Sequence, residues 1–265
     1  SPYRDMIHRW NLEKKNPEQA RSEVKEPITW WIENTTPHEF RDAIKEGVLA
    51  WNKAFEKAGL INAVDVQVQP DDADWDAGDI RYNVVRWSSS PEPGFSGYGP
   101  SIGNPRTGEL IAADIVQEFN AIKRGYNYRK IWGWTPESDP LEQWIVSLTM
   151  HEVGHTIGLR HNFSASYLWG PKEVHDISIT GDSTIASIMD YDPINIAPPG
   201  MKQGKYFPTV PGEYDRWAIQ FGYSPELSDE ERAELLALSI LPPYTYGTDG
   251  DTTVSYTHLT LPTKA

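Results

Sequence analysis

The sequence of 265 residues contains no cysteine. That excludes a disulfide framework, a thiolate zinc site and an iron–sulfur cluster. Any site for a soft metal must therefore use histidine and carboxylate. Basic residues are also scarce: 24 Lys and Arg stand against 38 Asp and Glu, a formal net charge of −14. A field of that sign disfavours nucleic acid, and no such partner is expected. No run of eighteen apolar residues occurs, so no membrane-spanning helix is expected. There is no internal repeat. The chain opens on Ser1-Pro2-Tyr3 with no recognisable signal peptide. It is read as part of a longer chain, which leaves its location open. What is present is the composition of a folded domain, with 38% hydrophobic residues, 11 Trp and 13 Tyr. The length suffices to bury a core without covalent staples.

Residues 1–26 are polar and charged and read as an arm or linker. Pro27–Ile32 (PITWWI) reads as a strand. Thr36-Pro37-His38-Glu39 carries helix-start signals: a Thr cap, Pro at the first helical position and Glu three residues on. From Pro37 to Ala58, Phe40, Ile44, Val48, Trp51 and Phe55 recur at helical spacing, which predicts one long helix ending at Gly59. Asn62–Val68, Ile80–Trp87 and Leu110–Phe119 read as further strands. The acidic stretch 71–79 (DDADWDAGD) has its glycine out of register for a calcium loop and is read as a solvated loop. Residues 88–108 are rich in Ser, Pro and Gly and read as a long loop. Pro136–Leu159 is a helix starting at Ser138 or Asp139, with Gly158 as its terminator. Residues 160–212 show little periodicity. Two helices, Glu213–Phe221 and Ser228–Leu238, close the pattern.

The chemistry lies in His151-Glu152-Val153-Gly154-His155. Residues four apart share a helix face, so two imidazoles at this spacing reach one zinc ion. Glu152 stands beside them and can hold a water that the metal also binds, taking its proton as attack begins. A third ligand is needed, with one position left for water and substrate. His161 lies six residues past His155, too far for a continuous helix. Gly158 resolves this, because glycine tolerates positive φ and lets the chain end the helix and turn back beneath the metal.

The extended pattern, with Gly158 and His161, resembles the metzincin clan of zinc peptidases. The resemblance implies an α/β (α+β) zincin catalytic domain: a twisted mixed sheet with a backing helix and the active-site helix, over a less regular C-terminal subdomain. It matches the clan's methionine turn to Ser187-Ile188-Met189-Asp190-Tyr191. Met189 would then be a packing floor and not a ligand. Tyr191 resembles the switchable tyrosine of the astacin-like and serralysin-like branches, which approaches the metal and stabilises the oxyanion. The other reading leaves Tyr191 in the core, with Asp190 anchoring the loop. The clan's cleft strand corresponds to Leu110–Phe119, which makes Ala112, Ala113, Asp114 and Ile115 candidates for pairing with an extended substrate. The same stretch also reads as an ordinary strand. Gly97, Tyr98, Gly99 and Gly103 either shape the cleft rim or merely permit turns, and Asn162 is expected to hold the local turn structurally.

A closer resemblance is to large bacterial, Bacteroidetes-type zinc-dependent metallopeptidases long described as domains of unknown function. It is carried by Arg9-Trp10, the strand 27–32, Trp51–Gly59, Arg81–Val84, Asn104–Glu109, the zinc motif with Arg160 and Asn162, and Tyr214–Ala218. It implies flanking domains of a larger chain and an extracytoplasmic location: periplasmic, outer-membrane associated or secreted. Val254–Ala265 resembles translated adapter read-through, so 251–265 is set aside as a non-native tail. The expected organisation is an arm at 1–26 and a catalytic domain at 27–250, with an upper part at 27–158 and a lower part at 159–250. The expected function is a zinc-dependent endopeptidase with one catalytic Zn2+, acting on a peptide or protein substrate. The alternatives are a zinc hydrolase of another amide or ester, and a catalytically silent zinc-binding domain.

Overall fold

The computed structural model describes residues 6–91, 94–119, 123, 126–127, 130–131, 133–135, 139–225 and 227–248. The tail at 251–265 and the candidate helix start Ser138 lie outside the described residues.

Among the described residues eight strands form the β-structure: β1 (Ser22–Glu23), β2 (Ile28–Ile32), β3 (Leu60–Ile61), β4 (Val64–Val68), β5 (Asn83–Ser88), β6 (Gly97–Tyr98), β7 (Ser101–Gly103) and β8 (Leu110–Glu118). In the main sheet, β4, β2, β5 and β8 run parallel in that order, while β6 and β7 pair antiparallel with β8. The fold is thus α/β with a mixed sheet. A separate pair joins β1 to β3. Alternation dictates the faces: Ile28, Trp30 and Ile32 of β2 are buried, while Thr29 and Trp31 are less so.

Two helices, α1 (His38–Leu49) and α2 (Asn52–Lys57), stand where one was expected. The apolar stripe is intact, with Phe40, Ile44, Val48, Trp51 and Phe55 all buried. The interruption comes where side chains commit to neighbours. Trp51 Nε1 donates to Met150 O at 2.9 Å, and Asn52 exchanges two hydrogen bonds with the Val64 backbone, at 2.8 and 2.9 Å. The expected Thr36 cap does not form. Pro37 takes the cap position, Thr36 Oγ1 is buried without a hydrogen-bond partner, and Arg41 clamps the turn through the Thr36 and Asn34 carbonyls.

The expected loop 88–108 contains β6 and β7, which pair with β8. Ala112 and Ala113 pair with Ile102 and Ser101 on one side. On the other, Ala113 N–H donates to Asn83 Oδ1 at 3.0 Å, and Asp114 and Ile115 pair with Val84 and Val85. Along this stretch Ala112 is thus flanked by β7, Ala113 and Asp114 meet neighbours on both edges, the latter through an N–H bond to Pro100 O at 3.1 Å, and Ile115 is flanked by β5. Strand β5 likewise begins at Asn83 and not at Ile80: residues 80–82 form a turn in which Arg81 bonds Asp79 and Tyr82 stacks on Trp75 at 3.8 Å.

The helix Leu141–Thr156 lies across the core beside α1. Gly47 of α1 allows the close approach, since a Cβ there would sit 2.7 Å from Thr149 Cβ and from Val146 O. Gln117 of β8 ties the same helix to the sheet by a buried 2.6 Å bond to Thr149 Oγ1. Beyond Gly158 the chain holds only short 3-10 turns at Ala165–Tyr167 and Glu173–His175 and a one-turn helix at Ile177–Thr180 before the helices Glu213–Tyr223 and Asp229–Ala237, the second opened by a Ser228–Glu231 capping box.

Candidate metal centre

The helix Leu141–Thr156 presents His151 and His155 one turn apart. It ends as the sequence requires, with Gly158 at φ 101° and Leu159 N–H bonded to Gly154 O at 3.0 Å. That turn returns His161 to the pair. Donor atoms of the three imidazoles all lie within 4.8 Å of one another, and His155 Nε2 stands 3.1 Å from His161 Nε2. Ligands about 2.0–2.1 Å from one tetrahedral ion lie roughly 3.3 Å apart, so this separation suits a shared metal.

The tautomers suit it as well. A carbonyl only accepts, so His151 Nδ1–H donates to Ile188 O at 2.7 Å and His155 Nδ1–H donates to Leu159 O at 3.1 Å. Each Nε2 is left with a bare lone pair aimed at the cluster. Burial, reinforced by the neighbouring histidines, pushes His151 down to about 3 and His155 down to about 4. The rings are therefore neutral at physiological pH, the form that binds metal.

The N-terminal segment read as an arm is bound to this centre. Helix ends leave carbonyls without partners, and here two are met from far along the chain. Trp10 Nε1 donates to Thr156 O at 2.8 Å, and Tyr223 Oη donates to Ile157 O at 2.8 Å. Arg9 donates to Gly222 O at 2.6 Å, and Trp10 N–H donates to Tyr223 Oη at 3.1 Å. The His8 carbonyl lies so close to Gly158 that no side chain fits there. No spacing rule in the sequence points to these contacts.

The turn Ser187–Tyr191 passes against the helix face between His151 and His155. Met189 is wholly buried, and its Sδ occupies the space a Cβ on Gly154 would need. Asp215, unremarked as a single residue in the sequence, holds this turn. Its fully buried carboxylate accepts from Ser187 Oγ at 2.5 Å, Ile188 N at 2.8 Å and Gly212 N at 2.8 Å. Ile188 O in turn orients His151. Burial drives Asp215 up to about 6 against the pull of those three hydrogen bonds. Asn162 also ties the turn: its N–H donates to Met189 O at 3.0 Å, and its side chain bonds Thr245 O and Gly247 N, both at 3.0 Å.

Asp190 is buried and accepts from Ser166 N at 2.9 Å and Tyr191 N at 2.8 Å. It anchors the loop without drawing Tyr191 into the core. Tyr191 is 59% exposed, with its ring centre 4.4 Å from that of His161 and 5.4 Å from that of His151.

Glu152 is buried beside the histidines under the backbone of β6. A Cβ on Gly97 would lie 2.5 Å from its Oε1, and one on Gly99 would lie 2.6 Å from its carbonyl oxygen, so only glycine allows this cover. Burial raises the carboxyl to about 7. A cleft of about 410 Å³ opens here, lined among others by Phe95, Gly97, Trp144, His151, Glu152, Tyr191, Asp192 and Phe207. Gly97, a weak candidate in the sequence, is thus at the cleft, and Ala112–Ile115 are absent from it.

No curated protein matches this sequence. Among solved structures, the GM1 bound form of the ECX AB5 holotoxin is similar at TM-score 0.41 and 16% identity, over 80% of this chain and 87% of that chain. That likeness is too distant to bear on fold or function. The Met-zincin family matches residues 137–260, a span that holds all three histidines, the 187–191 turn and Asp215 and runs into the tail set aside above. The stretch similar to the Met-zincin family thus surrounds a three-histidine cluster able to hold a metal ion.

Proposed function

We propose that the protein is a zinc-dependent endopeptidase. The observation that carries this is the pairing of three convergent imidazoles with a buried carboxylate that meets no hydrogen-bond or ion partner among the described residues. Three imidazole nitrogen donors without thiolate, with room on the cleft side, fit catalytic zinc. Held by His151, His155 and His161, the ion would polarise the scissile carbonyl and acidify a bound water.

The chain's own groups do the rest. Glu152 accepts the proton of the attacking water and passes it to the leaving amine nitrogen. No hydrogen-bond or ion partner meets its carboxylate among the described residues, so nothing competes for that proton. The Gly97–Gly99 backbone shields it from solvent and keeps its basicity near neutrality. Tyr191, exposed over the cleft side of His151 and His161, donates its hydroxyl hydrogen to the developing oxyanion. Met189 forms the packed floor, and Asp215 and Asn162 hold the turn that carries it. The cleft-side strand β6 is positioned to pair with substrate backbone. Export and flanking domains belong to the same proposal, supported by the family resemblance across residues 9–245.

The test is zinc-loaded protein incubated with a denatured proteome digest and read by mass spectrometry, beside Glu152→Gln. Parent protein should generate new peptide termini, and the variant should retain zinc and fold but lose nearly all turnover. Parent protein that binds zinc but cuts no peptide would sink the peptidase reading, leaving another amide or ester, or a silent site. Equal turnover by variant and parent would remove Glu152 as the base.

A further inference from the structure

The cleft beside Glu152 has walls that say something about what enters it. Trp144 and Phe207 are half-buried, and Phe95 faces them from the loop before β6. Such walls suit a long, largely aliphatic side chain. The charged lining is of one sign. Asp190, Asp192 and Glu152 line the cleft, and no Lys or Arg does.

These carboxylates differ in what they already hold. Asp190 is spent on the Ser166 and Tyr191 amides, and Glu152 stands at the reacting atoms. Asp192 meets no cation and no side-chain donor among the described residues. Burial, and Asp190 close by, raise its pKa to about 7. An ionisable group with so little compensation favours whatever cation can reach it.

We propose that this cleft takes the side chain of a lysine or arginine on the leaving-amine side of the scissile bond, its stem against Trp144 and Phe207 and its charge on Asp192. The side is set by Glu152, which borders the cleft and must deliver its proton to the leaving nitrogen. The inference rests on the peptidase reading for which bond is cut, but the recognition itself can be measured without any cut.

The experiment uses zinc-loaded Glu152→Gln protein and blocked pentapeptides, acetyl-Ala-Ala-Xaa-Ala-Ala-amide, with Xaa lysine, arginine, norleucine or glutamate. Binding is measured by calorimetry. Norleucine keeps the lysine stem and lacks the ammonium, so the comparison isolates the charge. Lysine and arginine peptides should bind about tenfold or more tighter than norleucine, with glutamate weakest. In the Glu152→Gln, Asp192→Asn protein the lysine-to-norleucine difference should collapse to about twofold or less. Asp192→Lys should invert the order in favour of glutamate. Equal affinity for lysine and norleucine in protein with Asp192 intact overturns the proposal, as does a lysine preference that survives Asp192→Asn. The parent comparison stands even if a variant fails to fold. A lysine preference, where the zinc-loaded protein with Glu152 intact cuts no peptide, would uphold this inference while removing the peptidase reading. Cleavage with no basic preference would do the reverse.

Discussion

Replacing Gly154 by alanine adds one methyl group in the middle of the metal-binding helix. On an exposed helix the change would stabilise by about 1 kcal/mol, because glycine carries the larger backbone entropy cost. Here the methyl lands well inside van der Waals contact of Met189 Sδ and 3.0 Å from Trp51 Cζ2. Neither neighbour can retreat. Trp51 and Met189 are both fully buried, and Trp51 is pinned to Met150 O. The Met189 backbone is held on both sides, its N–H by Ser187 Oγ at 3.1 Å and its carbonyl by Asn162 N at 3.0 Å. Overpacking of this kind costs about 1–3 kcal/mol, which cancels or outweighs the helical gain. A net loss of about 1 kcal/mol lowers the midpoint of a domain this size by about 2–4 °C. The larger effect falls on the metal. Ile188 O, on the displaced turn, orients His151, and loss of such support weakens metal binding by about 10–100-fold. The assay is zinc affinity by competition with a chelator, alongside thermal unfolding, for Gly154→Ala, Met189→Ala and the double variant. Removing the thioether makes room for the methyl, so the double variant should bind zinc more tightly than the two losses predict, with a coupling of about 1 kcal/mol or more. Additive losses, or a Gly154→Ala protein more stable than the parent with unchanged zinc affinity, would refute the reasoning.

Tyr191→Phe should keep zinc, stability and KM near parental values while kcat falls by about one to two orders of magnitude, since the lost donor acts chiefly in the transition state; steady-state kinetics showing kcat within about twofold of the parent would end that assignment. In the metal-free protein the buried histidines and the buried carboxyls should give opposing pH dependences of stability. His151 and His155 have depressed folded values, so their contribution is complete above about 6.5 and declines as pH falls toward about 4 and 3. Glu152 is raised to about 7, so its contribution is complete below about 4.5 and declines as pH rises through 7. Between about pH 4.5 and 6 these three groups have the unfolded chain bind about one proton more, while Asp192 and Asp215, raised to about 7 and about 6, have the native chain bind about two more, so the five together should make stability fall by about 1.4 kcal/mol per pH unit as pH rises. Metal-free Glu152→Gln should lose one of the native-state protons and flatten that slope toward zero in urea titrations, and an unchanged slope would remove Glu152 from the account.

The metal site was legible because its logic is local. A four-residue helical spacing and one glycine needing positive φ bring His151, His155 and His161 together, and φ 101° at Gly158 is where the sequence asks for it. The apolar stripe from Phe40 to Phe55 and the strands at 28–32 and 110–118 follow from period alone. What period cannot reveal is which edge of a strand is taken. Strand β8 reads the same whether free or flanked, and only the folding back of residues 97–103 placed β6 and β7 against it and put Gly97 over Glu152. The single long helix expected from 37 to 58 failed for a similar reason, because Trp51 and Asn52 make bonds to Met150 and Val64 that local propensity does not foresee. Asp215 lies 60 or more residues from His151 and shows its role only once its carboxylate is seen beneath the Ser187 turn. Trp10 is farther still, yet it completes the carbonyl end of the same helix. Local geometry set the ligands. Long-range satisfaction of buried polar groups set everything that holds and surrounds them, because a buried donor or acceptor takes whatever partner the tertiary fold brings, at any sequence distance.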